Sequence, residues 1–362
     1  MQSTNRYKII LFNARSYEKK FFDLANQTHH YQITYVQSRL DASTVHLSEG
    51  FDVVCAAVHD VIDKVVITQL HHYKIKLIAM RCAGYNNVDF KEVYKKKIRV
   101  MRVPAYSPFA IAEHTISLML ALNRHLNKAC FRIRQFNFSI EGLVGFDMYK
   151  KTAGIIGTGK IGLAVISILN GFGMEVLAFD KFRNEDKAKE MNFKYVSLDE
   201  LYQNSDIITL HCPLNEDTYH LINETSIAKM KSGIMLINTG RGALIDTRAL
   251  VNGLKSKKIG FAGLDVYEEE DKYFFKDWSH SVIDDDLLAR LITFPNVIVT
   301  GHQAFLTKEA LKEIAEVTLG NIAAFFQRQC DQATSPKKCF INEVCYRCEA
   351  QPCKKLQNEP CF

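Results

Sequence analysis

The chain has 362 residues, 47% hydrophobic and 24% charged, with a formal net charge of +6. That length suits two domains of ordinary size, and the composition excludes a small disulfide-stapled scaffold, a collagen-like or coiled-coil rod and extensive disorder. Acids are interleaved with the bases, so the charge is too weakly biased to point to nucleic acid.

The first twenty residues are broken by Asn5, Arg6, Lys8, Asn13, Arg15, Glu18 and Lys19, so they lack the apolar centre of a signal peptide. No run elsewhere approaches the roughly 18 apolar residues that span a bilayer, which makes a cytoplasmic protein the expectation. Of the ten cysteines, Cys55, Cys82, Cys130 and Cys212 lie among apolar strands and helices and are expected to be small buried hydrophobes. The other six fall between Cys330 and Cys361.

Short apolar runs alternate with helical patterns over the first hundred residues: KIILFN at 8–13, ITYV at 33–36, FDVVCAAV at 51–58, KLIAM at 76–80 and IRVMRV at 98–103. Such runs predict a parallel, doubly wound sheet covered by helices on both faces. A long apolar helix is expected over 110–126, either joining two domains or packing in a subunit interface. A second series of six strands starts with TAGIIGTG at 152–159 and ends at Gly301, which matches a dinucleotide-binding unit. An amphipathic helix over roughly 307–327 is expected to return to the first domain. The domain expectation is therefore 1–103 with 304–330, then 104–303, with a cysteine-rich tail over 331–362.

Gly157, Gly159 and Gly162 stand directly after an apolar strand and open a helical pattern. The first permits a tight turn, the second a close approach of backbone to pyrophosphate, and the third close helix packing. With them, Thr158, Lys160 and Ile161 form the loop whose N–H groups would meet the phosphates. Asp180 ends the next strand, where a carboxylate accepts from ribose hydroxyls and repels a 2′-phosphate, so NAD is the expected cofactor. Lys181 and Arg183 are close enough in sequence to reach such a phosphate. Further on, Arg241, Glu270 and His302 each follow a strand of the second series. An arginine to anchor a carboxylate, a histidine to exchange a proton and a glutamate to keep that histidine charged are what reduction of a 2-keto acid needs.

These stretches, with RCAGYNNVD at 81–89, VPAYSPFAIAEH at 103–114, LHCPL at 210–214, INTGRGALID at 237–246, GLDVYEEE at 263–270 and TGHQAFLTKEAL at 300–311, resemble the D-specific 2-hydroxyacid dehydrogenase family and, within it, its lactate-forming bacterial members. The resemblance runs from about Tyr7 to Val344. It implies a flavodoxin-like substrate domain and a Rossmann NAD-binding domain with the active site in the cleft between them. It also implies reduction of pyruvate to D-lactate, with a larger 2-keto acid of the D-2-hydroxyisocaproate type or an NAD-sensing regulator as the alternatives. By the same resemblance Arg241 binds the substrate carboxylate, His302 is the acid/base, and Glu270, rather than Glu268 or Glu269, supports it. Cys82, Ala83, Gly84, Tyr106 and Phe305 line the substrate. His211, Cys212, Pro213, Thr239, Gly240 and Asp265 join the cofactor wall. The partners implied are a small 2-keto acid and at least one further copy of the chain through the nucleotide domain, with no membrane. No metal is expected at the active site. Beyond the resemblance, Cys345, Cys348, Cys353 and Cys361 have spacing compatible with a zinc site.

Overall fold

The computed structural model describes residues 7–331 and 342–344. The chain divides into two units: the described residues up to Ser107 together with those from Thr307 onward, and Pro108–Leu306.

The first unit is built on β1 (Lys8–Leu11), β2 (Gln32–Tyr35), β3 (Val53–Ala56), β4 (Leu77–Met80) and β5 (Arg99–Arg102). They are parallel in the order β2-β1-β3-β4-β5, the flavodoxin-like arrangement. Each strand alternates its side chains between two apolar faces. Val54, Ala56, Ile78 and Met80 pack with Ile67 and Leu70 on one side, while Val53, Cys55, Leu77 and Ala79 pack with Phe22 on the other. The second face is completed by the helix Lys308–Asp331, whose Ala315, Leu319, Ile322 and Phe325 are buried there. Burial on both faces explains why β3 and β4 read as unbroken apolar runs rather than as alternating ones. Past that helix, Glu343 forms an antiparallel bridge with Met101 on β5.

The second unit holds β6 (Thr152–Ile156), β7 (Glu175–Phe179), β8 (Lys194–Tyr195), β9 (Ile207–Leu210), β10 (Ile234–Asn238), β11 (Ile259–Leu264) and β12 (Val297–Val299), parallel in the order β12-β11-β10-β9-β6-β7-β8. The order reverses between β6 and β9, where open α/β sheets bind ligands. The seventh strand, against six expected, is β8. Two residues at the sheet edge are too short to show a period of two.

The apolar helix runs from Pro108 to Asn123, two residues earlier at its start than expected and three shorter at its end. Proline fits its first turn, where the missing N–H has no partner to lose. Ile116, Leu118, Met119 and Leu122 are buried with Ile155, Val165 and Ile237 in the core of their own unit. The apolar length of this helix is thus absorbed within the unit. His125, at φ 50°, breaks the chain into a separate helix Leu126–Arg134 that buries nothing. Cys130 sits on that helix and is exposed, which corrects the expectation that it is a buried hydrophobe; Cys55 is buried, and Cys82 and Cys212 are half-buried. Among the described residues no helix is long and apolar enough to cross a membrane.

Candidate active site

Parallel strands end at the same sheet edge, so the residues that follow β6, β7, β9, β10, β11 and β12 gather there without any special loop. After β6, Gly157 has φ +99°, and a Cβ on it would lie 2.6 Å from the Cys212 nitrogen. A side chain is excluded twice, by strain and by space. Gly162 packs its helix against the same turn, with the Gly157 carbonyl oxygen 2.0 Å from where a Cβ would stand. Gly159 faces open space, with nothing within 4 Å of the same position. It is also the N-cap of the helix Lys160–Gly171, and no side chain caps that end. An open, uncapped helix N-terminus with a glycine in the approach fits the pyrophosphate of a dinucleotide.

Asp180, directly after β7, accepts from the Thr158 N–H at 2.6 Å and its hydroxyl at 3.0 Å, and from the Phe182 N–H at 2.8 Å. The carboxylate therefore locks the glycine loop to the neighbouring strand end, with acceptor capacity left over. Tyr195 braces the same corner through a 2.8 Å bond between its hydroxyl and that of Thr158. Both cations near Asp180 are engaged elsewhere: Lys181 with Asp217 at 3.0 Å, and Arg183 over the Tyr195 ring.

His211, Cys212 and Pro213 follow β9. The His211 N–H donates to the Ile156 carbonyl at 2.7 Å, and burial pushes its ring down to about 3, so that ring is neutral. Burial also pushes the Cys212 thiol up to about 11, which keeps it from acting as a thiolate.

After β10, the buried Asn238 shapes the turn that carries Thr239, Gly240 and Arg241. Its side chain donates to the Arg241 carbonyl at 2.8 Å and accepts from the Gly240 N–H at 3.0 Å. The Arg241 guanidinium donates to the Gly240 carbonyl at 2.8 Å, and among the described residues no carboxylate pairs with it. A half-buried cation of that kind is an anion site in waiting. Gly242 lets this turn lie against the backbone of Tyr267 and Glu268, where a Cβ would stand 2.1 Å from the Tyr267 carbonyl carbon. The turn bearing Arg241 is thereby packed on the run that bears Glu270.

Glu270 is the acid of that run that meets His302, with 2.8 Å between its Oε1 and His302 Nδ1. Its other oxygen accepts from the Tyr267 N–H at 3.0 Å. A carboxylate only accepts, so Nδ1 carries the proton of this bond and Nε2 is the nitrogen on the far side of the ring. Glu268 binds His220 instead, and Glu269 is exposed.

His302 stands after β12 at φ 54°, a left-handed position for a side-chain-bearing residue. Asp265 holds it there. The Asp265 carbonyl accepts from the His302 N–H at 2.7 Å, and its carboxylate accepts from the N–H groups of Gln303 and Ala304 and from the Thr300 hydroxyl. His114 lies 3.3 Å from the same carboxylate. Burial alone would raise the Asp265 carboxyl, but the bonds from His114, Thr300, Ala304 and Gln303 outweigh it and hold it below its ordinary value. His114, Thr300 and Asn238 are the members of the site that sequence reading did not single out. The signal for His114 and Asn238 is a polar residue inside an apolar helix or strand, and for Thr300 a polar residue directly after an apolar strand. Phe305 follows this turn and is half-buried.

In the first unit, Cys82, Ala83 and Gly84 follow β4 at its carboxyl end, and Tyr106 lies after β5, half-buried. The tail residues Cys345, Cys348, Cys353 and Cys361 lie outside the described residues. Among the described residues no group of three or more His, Cys, Asp or Glu is arranged to hold a metal.

Residues 116–304 match the family described as D-isomer specific 2-hydroxyacid dehydrogenase, NAD binding domain. The chain is 51% identical over 315 residues to a 2-hydroxyacid dehydrogenase homolog of Haemophilus influenzae, covering 87% of this chain and 95% of that one. It is 46% identical to the D-lactate dehydrogenase of Escherichia coli, covering 87% and 96%. The apo structure of D-lactate dehydrogenase from Escherichia coli superimposes with a TM-score of 0.83 at 42% identity, over 93% of this chain and all of that one. A glycine loop, an acid after the second strand, and an arginine and a histidine–glutamate couple along one sheet edge thus occur in a chain that belongs to the D-isomer specific 2-hydroxyacid dehydrogenase family, an NAD-dependent enzyme.

Proposed function

We propose that the enzyme reduces pyruvate to D-lactate with NADH. The observation that carries this reading is the bond from His302 Nδ1 to Glu270, beside a turn whose Arg241 has no carboxylate partner among the described residues. Arg241 binds the carboxylate of the 2-keto acid with its planar fork of donors. Protonated His302 gives its Nε2 proton to the carbonyl oxygen, and Glu270 orients the ring and compensates its charge. Arg241 also stabilises the negative charge that grows on that oxygen, where transition state and ground state differ most. When bound, the cofactor supplies the hydride.

Gly157, Gly159, Gly162 and the loop N–H groups between them are proposed to hold the pyrophosphate, and Asp180 the adenosine ribose. Thr239, Gly240 and the turn after β9 form the adjoining wall. Asp265 acts here mainly by fixing the turn that carries His302. Lys181 pairs with Asp217 and Arg183 lies over Tyr195, and repulsion between Asp180 and a 2′-phosphate makes NADH the preferred cofactor over NADPH. In the first unit, the N–H groups of Ala83 and Gly84 are proposed as carboxylate donors. Of the two small residues at the end of β3, Ala56 is buried in the core and Ala57, half-buried just past the strand, is where a larger 2-keto acid would be admitted.

The experiment is a substrate panel followed by NADH oxidation: pyruvate, 2-ketobutyrate, phenylpyruvate and hydroxypyruvate. The expected result is the highest kcat/KM on pyruvate and a product of D configuration. A highest kcat/KM on phenylpyruvate would move the assignment to the D-2-hydroxyisocaproate type, and no turnover on any of the four would remove it.

We further infer a homodimer through the second unit. Phe136, Phe138, Ile140 and Val144 are 85%, 70%, 83% and 86% exposed along one segment, and exposed large apolar side chains gathered in this way favour a protein contact. Gel filtration at micromolar concentration is expected to report two copies, and a monomer would contradict this.

A further inference from the structure

The loop after β4 is held in an unusual way. Each of its three carbonyls is turned toward a donor of the same unit: Cys82 accepts from the Val103 N–H at 3.2 Å, Ala83 from the Arg102 guanidinium at 2.6 Å, and Gly84 from the Cys82 thiol at 3.2 Å. In a peptide, fixing a carbonyl on one side directs the next N–H to the other. Among the described residues, the N–H groups of Ala83 and Gly84 meet no protein acceptor. A half-buried turn with satisfied carbonyls and outward N–H groups fits a carboxylate.

Of the three donors, Arg102 is the one whose own position must be maintained over a long side chain. Its guanidinium lies over the Tyr85 ring, 4.9 Å from the centroid. Its main chain is clamped from outside the sheet. The Arg102 N–H donates to the Asn342 carbonyl at 3.0 Å, and its carbonyl accepts from the Asn321 side chain at 3.0 Å. Asn342 in turn donates to Asn321 at 2.8 Å. Arg99 pairs with Glu343 at 2.5 Å, the Val344 N–H donates to the Val100 carbonyl at 2.9 Å, and Val344 packs on the core beneath. Residues 342–344 therefore cover the open edge of β5 and fix the strand end from which Arg102 reaches the loop.

We propose that this C-terminal clip, acting through Arg102, sets the shape of the 82–84 loop and with it the affinity for the substrate carboxylate. The inference rests on the reading of that loop as a carboxylate donor. Arg102 is a positioning residue: it shapes the loop through the Ala83 carbonyl. Because the loop binds ground state and transition state alike, losing the clip raises KM for the 2-keto acid and spares kcat.

The test is steady-state pyruvate reduction by the full chain, by chains ending at Val344 and at Ile341, and by Arg102→Ala, Arg102→Lys and Ala83→Pro. Ending at Val344 is expected to change nothing. Ending at Ile341 and Arg102→Ala are each expected to raise KM for pyruvate roughly tenfold, the size of one charge-assisted bond, with kcat and KM for NADH within about twofold. Arg102→Lys recovers part of the loss, since an ammonium keeps the charge but not the fork. Ala83→Pro removes one of the two proposed donors and raises KM for pyruvate. If it does so while the Ile341 chain and Arg102→Ala do not, the loop reading stands and the clip proposal is overturned. If Ala83→Pro has no effect, the loop reading itself falls, and the proposal with it. Should the Ile341 chain fail to fold, Arg102→Ala decides, because it leaves every main-chain bond of the clip in place. A loss spread equally over kcat and both KM values would mark a general defect and overturn the proposal.

Discussion

His220 and His302 each bond a glutamate of one short run, Glu268 at 2.5 Å and Glu270 at 2.8 Å, and both stand at positive φ, 49° and 54°. They differ in which nitrogen is engaged and where the ring stands. His220 uses Nε2, its ring stacks on Tyr219 at 4.0 Å, and its N–H donates to the Ala243 carbonyl. The second oxygen of Glu268 accepts from the N–H and hydroxyl of Thr247, the first residue of the helix Thr247–Lys255. That pair is a joint between a loop and a helix start. His302 uses Nδ1, follows a strand at the ligand edge of the sheet, and sits on a turn built by the buried Asp265. A histidine–glutamate couple is thus no signature of catalysis by itself. On the proposed reading, the ring nitrogen that meets the glutamate and the sheet edge the histidine stands on make the difference.

The comparison sharpens through variants. Arg241→Gln shares the edge with His302, so kcat/KM for pyruvate should fall about 100- to 1,000-fold, the range for losing one donor to a developing oxyanion. A fall under about fivefold would remove Arg241 from the reaction. Glu270→Gln keeps the bond to Nδ1 and loses the charge; kcat should fall on the order of tenfold, whereas Glu268→Gln should leave it within about twofold, since hydrogen bonds to a charged group are worth roughly 1.5–3 kcal/mol and the proposed mechanism uses only the Glu270 bond. Equal effects of the two would contradict the division of labour. His220→Gln should lower stability by about 1 kcal/mol or less, because its partly exposed pair is worth little, and a urea melt reads it.

The smallest effect is a dependence on pH. The Asp265 carboxyl is depressed in the folded state, so its contribution is full above the ordinary aspartate value of about 3.9 and is lost as pH falls through that value toward the folded one. Asp265→Asn should flatten this acid limb of stability, measured as the urea midpoint against pH. An unchanged limb would place the acid sensitivity elsewhere.

What the sequence made legible was local. The glycine loop could be read because each demand on it, a left-handed φ at Gly157 and clearance at Gly162, falls on the residue itself. The apolar runs marked nearly every strand, since double-sided burial leaves no polar alternation to interpret. The choice of Glu270 from three consecutive glutamates came from resemblance, because nothing within EEE says which partner each finds. The Asp265, His114 and Thr300 cluster was invisible for the same reason: its members are brought together from separate elements by the fold. Likewise, the long apolar helix and the exposed cysteine on the next one differ only by a break at His125, which composition does not reveal.

The most direct test is NADH oxidation with saturating pyruvate by the wild type, His302→Gln and His220→Gln, assayed side by side with folding checked by circular dichroism. His302→Gln should be slower by roughly 100- to 10,000-fold, the range for removing a general acid, while His220→Gln stays within about threefold of wild type. If His302→Gln retains wild-type turnover, or if both histidines lose activity to the same extent, the assignment of the acid/base to His302 is wrong.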